Sequence, residues 1–118
     1  MIAHVVLFTP RASLSLDDRR ALVADLERAC QAIPAIRRAR VGRRRVLGYA
    51  YDNVGPAHFE FVVVLEFESE ADLHTYLHHP AHVALGRWFH DGADAAMAED
   101  FAIVEPSALR GLVADYLS

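Results

Sequence analysis

A chain of 118 residues has room for one two-layer core and not for two. Its 53% hydrophobic and 24% charged content suit a globular domain, and no apolar run approaches the roughly 20 residues that cross a bilayer. The net charge of −4 is unevenly spread: all 12 basic residues are arginine, six of them lie within positions 37–45, and removing those six charges leaves −10.

Ile2 to Phe8 reads as a strand of β-branched and aromatic residues ended by Thr9-Pro10. It lacks the basic start and long apolar stretch of a signal peptide. Ser15 is placed to cap a helix, with Asp18 three residues on as the capping-box acid. Leu22, Leu26, Ala29, Cys30 and Ile33 follow at helical spacing, and Pro34 stops the helix. Cys30, the lone cysteine, has no internal disulfide partner and suits a reducing cytoplasm. Ile36 to Tyr51 is a second extended region, with a bulge or bend expected at Gly42. Asp52-Asn53-Val54-Gly55-Pro56 is a loop signal.

Phe59 to Phe67 is the clearest strand. Phe59, Phe61, Val63, Leu65 and Phe67 make one apolar face, and the opposite parity is apolar at its centre and ionisable at its ends. Ser69, with Asp72, caps a helix carrying Leu73, Tyr76 and Leu77 on one side and ending before Pro80. Pro80 fits the first position of a further helix, in which Val83, Leu85, Phe89 and Trp88 turn inward. A short last strand is expected over Phe101 to Val104. The segment 106–118 carries Leu109, Leu112, Val113, Tyr116 and Leu117 at helical spacing, the pattern of a helix docked on the domain or on a partner subunit. The order is βαββαβ plus this segment: an α+β, ferredoxin-like split βαβ with an antiparallel sheet over residues 1–105. Helices cover one face of such a sheet, and an apolar second face calls for a second copy of the chain.

Tyr76-Leu77-His78-His79-Pro80-Ala81-His82 places a phenol and three imidazoles around a proline break, and His4 opens the first strand. Both side-chain types move protons, and imidazole does so near neutral pH. In its opening strand, in Phe61 to Ser69, in this Tyr-x-x-His-Pro-x-His stretch and in Asp100-Phe101, the chain resembles the stress-responsive dimeric α/β-barrel family. That resemblance implies a homodimer whose two sheets face each other as a barrel. The family includes olivetolic acid cyclase, which closes a linear polyketide by aldol chemistry without metal or organic cofactor. Its proposed catalytic tyrosine and histidine match Tyr76 and His82, and its strand-one histidine matches His4.

The same residues admit two accounts. In the chemical one, His82 takes a proton from the carbon beside a carbonyl, Tyr76 hydrogen-bonds the developing enolate oxygen, and His4 orients the ensemble. In the architectural one, His82 caps the helix after Pro80, while Tyr76 packs on the sheet with its hydroxyl satisfied and His4 bonds a neighbour. Phe59, Phe61, Leu65, Trp88 and Phe89 serve either as core or as the apolar wall of a ligand pocket between sheet and helices. His74, His78 and His82 are spaced by four, but Pro80 breaks the helix between the second and third, and no zinc-motif acid or cysteine lies near, so no metal and no cofactor are expected. The arginines fall on both faces of one strand without stacking aromatics, which argues against nucleic acid and for pairing with Glu60 and Glu66. The expected protein is a cytoplasmic homodimer that binds a small apolar or β-carbonyl molecule. The alternatives are a cofactor-independent cyclase-like lyase and a dimer with a purely structural role; a membrane or nucleic-acid partner is not expected.

Overall fold

β1 (Ile2–Pro10) is the strand around which the chain assembles. It pairs antiparallel with β3 (Phe61–Phe67) on one side and with β4 (Ala93–Ala102) on the other. β2 (Arg38–Arg43) joins the free edge of β3, so the sheet order is β2-β3-β1-β4. The structure is a computed structural model that describes residues 1–55 and 58–118; the proline of the expected 52–56 loop lies outside them.

α1 (Leu16–Ala32) starts where the serine spacing requires, with the Ser15 hydroxyl accepting from the Asp18 N–H at 3.1 Å. α2 (Glu70–His78) starts the same way, Ser69 accepting from Asp72 at 3.2 Å. Each such cap stabilises its helix by about 1 kcal/mol, and the acids of both first turns favour the positive end of the helix dipole. α3 (Pro80–Asp91) follows α2 after a single residue. That residue, His79, is held at φ −71°, ψ 140°, the extended conformation that a following proline imposes.

The helices cover one face of the sheet. Val63, Leu65 and Phe67 of β3 pack there with Ala29, Ile33, Leu73 and Tyr76. Phe67 and Leu65 are 0% and 1% exposed, and burying each such side chain contributes roughly 1.5–3 kcal/mol. The register puts Val5 and Leu7 of β1 with Val62 and Val64 of β3 and Met97 and Phe101 of β4 on the opposite, uncovered face. Arg38, Arg40, Glu66 and Glu99 share that face.

Several local expectations change. Gly42 makes no bulge: the β2–β3 register runs unbroken from Arg38 to Arg43. A side chain at 42 would meet the Val62 Cγ1 at 3.1 Å, so the glycine gives room to a neighbour on an otherwise regular strand. β2 stops at Arg43, well short of Tyr51, and β3 begins at Phe61 rather than Phe59. Residues 44–49 leave the sheet, and a 3₁₀ turn (Ala50–Asn53) follows, tied back by the Asp52 carboxylate, which accepts from the N–H groups of Gly48 and Tyr49 at 2.7 and 3.1 Å. The last strand is longer and earlier than expected: it starts at Ala93 and ends at Ala102, not Val104. Its alanines and acids have little intrinsic strand preference, and pairing along the whole of β1 imposes the conformation. Val83 of α3 points outward, at 60% exposure; the inward side is Ala81 and Leu85. Beyond β4, the chain forms a 3₁₀ turn (Pro106–Ala108) and one short helix, α4 (Leu109–Leu112), instead of a helix through 118.

The radius of gyration is 16.2 Å, against about 13.5 Å for a compact chain of this length. The excess reflects the segments after β2 and β4, whose apolar side chains stand exposed.

Candidate functional site

The turn between α2 and α3 creates the site. Tyr76 occupies the last part of α2 and His82 the first turn of α3, and the His79–Pro80 break folds one back on the other. Their rings meet edge to face, with centroids 4.7 Å apart. Tyr76 also packs against Phe67 at 5.4 Å and His4 at 5.8 Å, and is only 2% exposed. The three histidine and tyrosine side chains singled out in the sequence therefore gather at one end of the sheet, above β1 and β3.

His4 is buried, and its Nδ1 lies 2.5 Å from a carboxylate oxygen of Asp100, its register partner on β4. A carboxylate oxygen accepts, so this pairing orients the ring with Nδ1–H donating to Asp100. Asp100, named from the sequence only as part of the family resemblance, is the site residue that sequence reasoning did not identify as the partner of His4. Recognising β4 from Ala93 onward, and pairing it with β1, would have set it opposite His4.

Among the described residues, no protein group hydrogen-bonds the Tyr76 hydroxyl, and no fully buried side-chain oxygen or nitrogen lacks a partner. The hydroxyl oxygen is thus not fully enclosed, although the residue as a whole is only 2% exposed. Burial, with the Cys30 thiol nearby adding to it, pushes the phenol above its ordinary range, so it stays a proton donor. Burial pushes the His82 imidazole below its ordinary value; the Leu77 carbonyl opposes this, and His4 and His78 add to the lowering. At neutral pH His82 is therefore neutral and able to accept a proton. Burial raises the Cys30 thiol, which leaves it protonated and a poor nucleophile. The arrangement is a donor and an acceptor side by side, with a third group oriented by a carboxylate. That set can polarise a carbonyl and move a proton beside it.

The capping role weighed for His82 falls to His79, whose Nδ1 accepts from the Ala81 N–H at 3.0 Å. The aromatic wall is not assembled as one surface. Leu65 joins the core beside Tyr76. Phe61 lies at the other end of β3 under the Arg43 guanidinium, 5.3 Å from its ring centre, and Phe59 precedes the strand. Trp88 is six residues beyond His82, roughly 9 Å along α3, and its indole N–H donates to Asp25 of α1 at 2.8 Å. Phe89 packs on His90. Two surface concavities, of about 370 and 500 Å³, lie away from the Tyr76–His82 pair. Among the described residues, no three histidine, cysteine or acidic side chains converge as metal ligands. Of the arginines at 37–45, Arg43 pairs with Glu60 at 2.7 Å and Arg37 with Glu68; among the described residues Glu66 holds none of them.

A sequence model of the stress-responsive A/B barrel domain family (Dabb) matches residues 2–103. The chain is similar to a solved Dabb-family protein of Mesorhizobium loti with a ferredoxin-like fold (23% identity, 88% of this chain and 97% of that one, TM-score 0.61). It is also similar to a dimeric ferredoxin-like protein of unknown function from Thermobifida fusca (24%, 86% and 90%, TM-score 0.65). A third similar structure is the hydroxynitrile lyase of Passiflora edulis (19%, 88% and 94%, TM-score 0.73). No curated protein matches the chain.

Proposed function

The chain belongs to the stress-responsive A/B barrel domain family, and from that premise we propose that it is a homodimer that binds a small apolar carbonyl compound against Tyr76 and His82. The observation that carries this reading is a phenol oxygen with no protein partner among the described residues, on a side chain 2% exposed, in edge contact with a neutral imidazole. A hydroxyl held this way has its ring fixed by packing and its donor free, so a ligand oxygen gains a hydrogen bond at little ordering cost. Because the two rings touch, the ligand sits across the exposed edge of the pair and not between them. The uncovered sheet face, apolar at Val5, Leu7, Val62 and Val64, supports the dimer, as does the dimeric state of the Thermobifida fusca protein.

A second reading is a cofactor-independent lyase of the cyclase type. His82 takes the proton and Tyr76 holds the oxygen on which charge develops. The lowered His82 and the likeness to a hydroxynitrile lyase favour it.

The test is titration with benzoylacetone, an apolar β-dicarbonyl, followed by amide and imidazole NMR signals, together with aldehyde release from mandelonitrile. Binding should shift the signals of Tyr76 and His82 and disappear in Tyr76→Phe and His82→Ala. Turnover abolished by His82→Ala would select the lyase. No shift at either residue and no turnover would leave only the structural dimer.

A further inference from the structure

We infer that residues 107–117 of one copy pack into a groove at the sheet end of a second copy, so that the dimer is locked by exchanged segments. The inference rests on the dimer proposed above and concerns a part of the chain outside the family match, which ends at residue 103.

The segment is amphipathic, and its apolar side is mostly uncovered, with only Val113 half-buried. Leu109, Leu112, Val113, Tyr116 and Leu117 recur at the three- and four-residue spacing of one helix face. Yet Leu109 is 52% exposed, Tyr116 85% and Leu117 59%. A short helix that buries little of its apolar face is marginal in water, since packing supplies most helical stability.

The groove lies at the root of the same segment. It has a volume of about 500 Å³, with Met1, Ile103 and Val104 as its apolar lining and Arg37, Arg38, Glu66 and Glu105 as charges, of which Arg37 is already held by Glu68. No residue beyond Glu105 lines it, so the chain leaves its own groove open and turns away at Pro106. Arg38 and Glu66 also stand on the uncovered sheet face. The groove is therefore continuous with the surface that faces the partner in the proposed dimer.

The charges match. Among the described residues Arg38, Glu66 and Glu105 form no ion pair, and neither do Arg110 and Asp115 of the segment. Seating the segment's apolar side on the groove lets Arg110 meet the two glutamates and Asp115 meet Arg38. Under two-fold symmetry each copy gives and receives one segment, the reciprocal geometry of a swapped dimer.

The experiment uses the full chain with Cys30→Ser. One population carries Val104→Cys and another Ala114→Cys, both at exposed positions. Mixing and mild oxidation should link position 104 of one chain to position 114 of the other. Leu109→Ser with Leu112→Ser should weaken the dimer about tenfold or more in sedimentation equilibrium. A wild-type chain that sediments as a monomer overturns the dimer itself. If the dimer persists unchanged in the double serine variant and no interchain link forms, the exchange is overturned and the dimer stands. A chain carrying both cysteines that closes only on itself also overturns the exchange.

Discussion

Replacing Tyr76 by phenylalanine separates what the phenol ring does from what its oxygen does. The ring's contacts with Phe67, His4 and His82 survive the change. No hydrogen bond among the described residues is lost, so the stability change should stay within about 0.5 kcal/mol. Tyr76→Ala, by contrast, empties a side chain that is 98% buried and should cost about 3–5 kcal/mol. The oxygen should matter only to a ligand. One neutral hydrogen bond contributes about 0.5–1.5 kcal/mol, which is roughly a two- to thirteenfold rise in Kd. If the site is a lyase, removing a donor to a developing oxyanion lowers kcat by about 100- to 1,000-fold. Urea unfolding and calorimetric titration with benzoylacetone measure the two sides. The phenylalanine variant should also lose one alkaline limb. The folded phenol is raised above the ordinary value near 10, so the unfolded state sheds its proton first and wild-type stability falls as pH climbs above that value. A loss of more than about 1 kcal/mol with unchanged affinity would refute the reasoning, because it would mean that the oxygen serves the fold.

Other consequences are equally direct. His82 is lowered in the folded state, so between its folded value and the ordinary value near 6.5 the unfolded chain holds the extra proton. Stability should be complete above that range and drop as pH falls through it, and His82→Gln should flatten the acid limb in pH-dependent urea midpoints. Asp100→Ala strips a buried histidine of its partner; with Asp100 half-exposed, a cost of about 1 kcal/mol is expected in urea unfolding, and the His4 ring nitrogen signals should show a changed tautomer. Gly92→Ala would place a methyl carbon 2.8 Å from the Trp88 ring and 3.0 Å from its carbonyl, where α3 turns into β4; the overpacking should cost about 1–3 kcal/mol in thermal unfolding. Val64→Asp puts a charge at the centre of the uncovered face and should leave a folded monomer by sedimentation.

The elements legible in the sequence were those whose local chemistry and tertiary environment agree. Ser15 and Ser69 cap their helices, Pro80 opens α3, and the alternation of Phe61 to Phe67 is realised as one buried and one open face. β4 was the reverse case. Its run Ala93 to Ala102 contains no β-branched residue, so nothing local announces a strand, and its conformation comes from the free edge of β1. That gap is the reason Asp100 was not recognised as a site residue, since its role exists only through the register that sets it against His4. Tyr76 and His82 of the motif do meet, because a proline break reverses the chain over a few residues and such reversals are local, whereas His4 reaches Tyr76 from β1. The aromatic wall fails to gather for the complementary reason. Phe61 shares a strand and a face with Leu65 while Phe59 precedes it, and each residue advances about 3.4 Å along the strand, so a common face does not make a common site. Local sequence thus places a proton donor and acceptor together, whereas the partner that orients their neighbour and the surface that would hold a ligand depend on pairings between distant segments. On the same logic the segment after β4 announces an apolar helix face without its cover, and in the exchanged dimer that cover lies in a second chain.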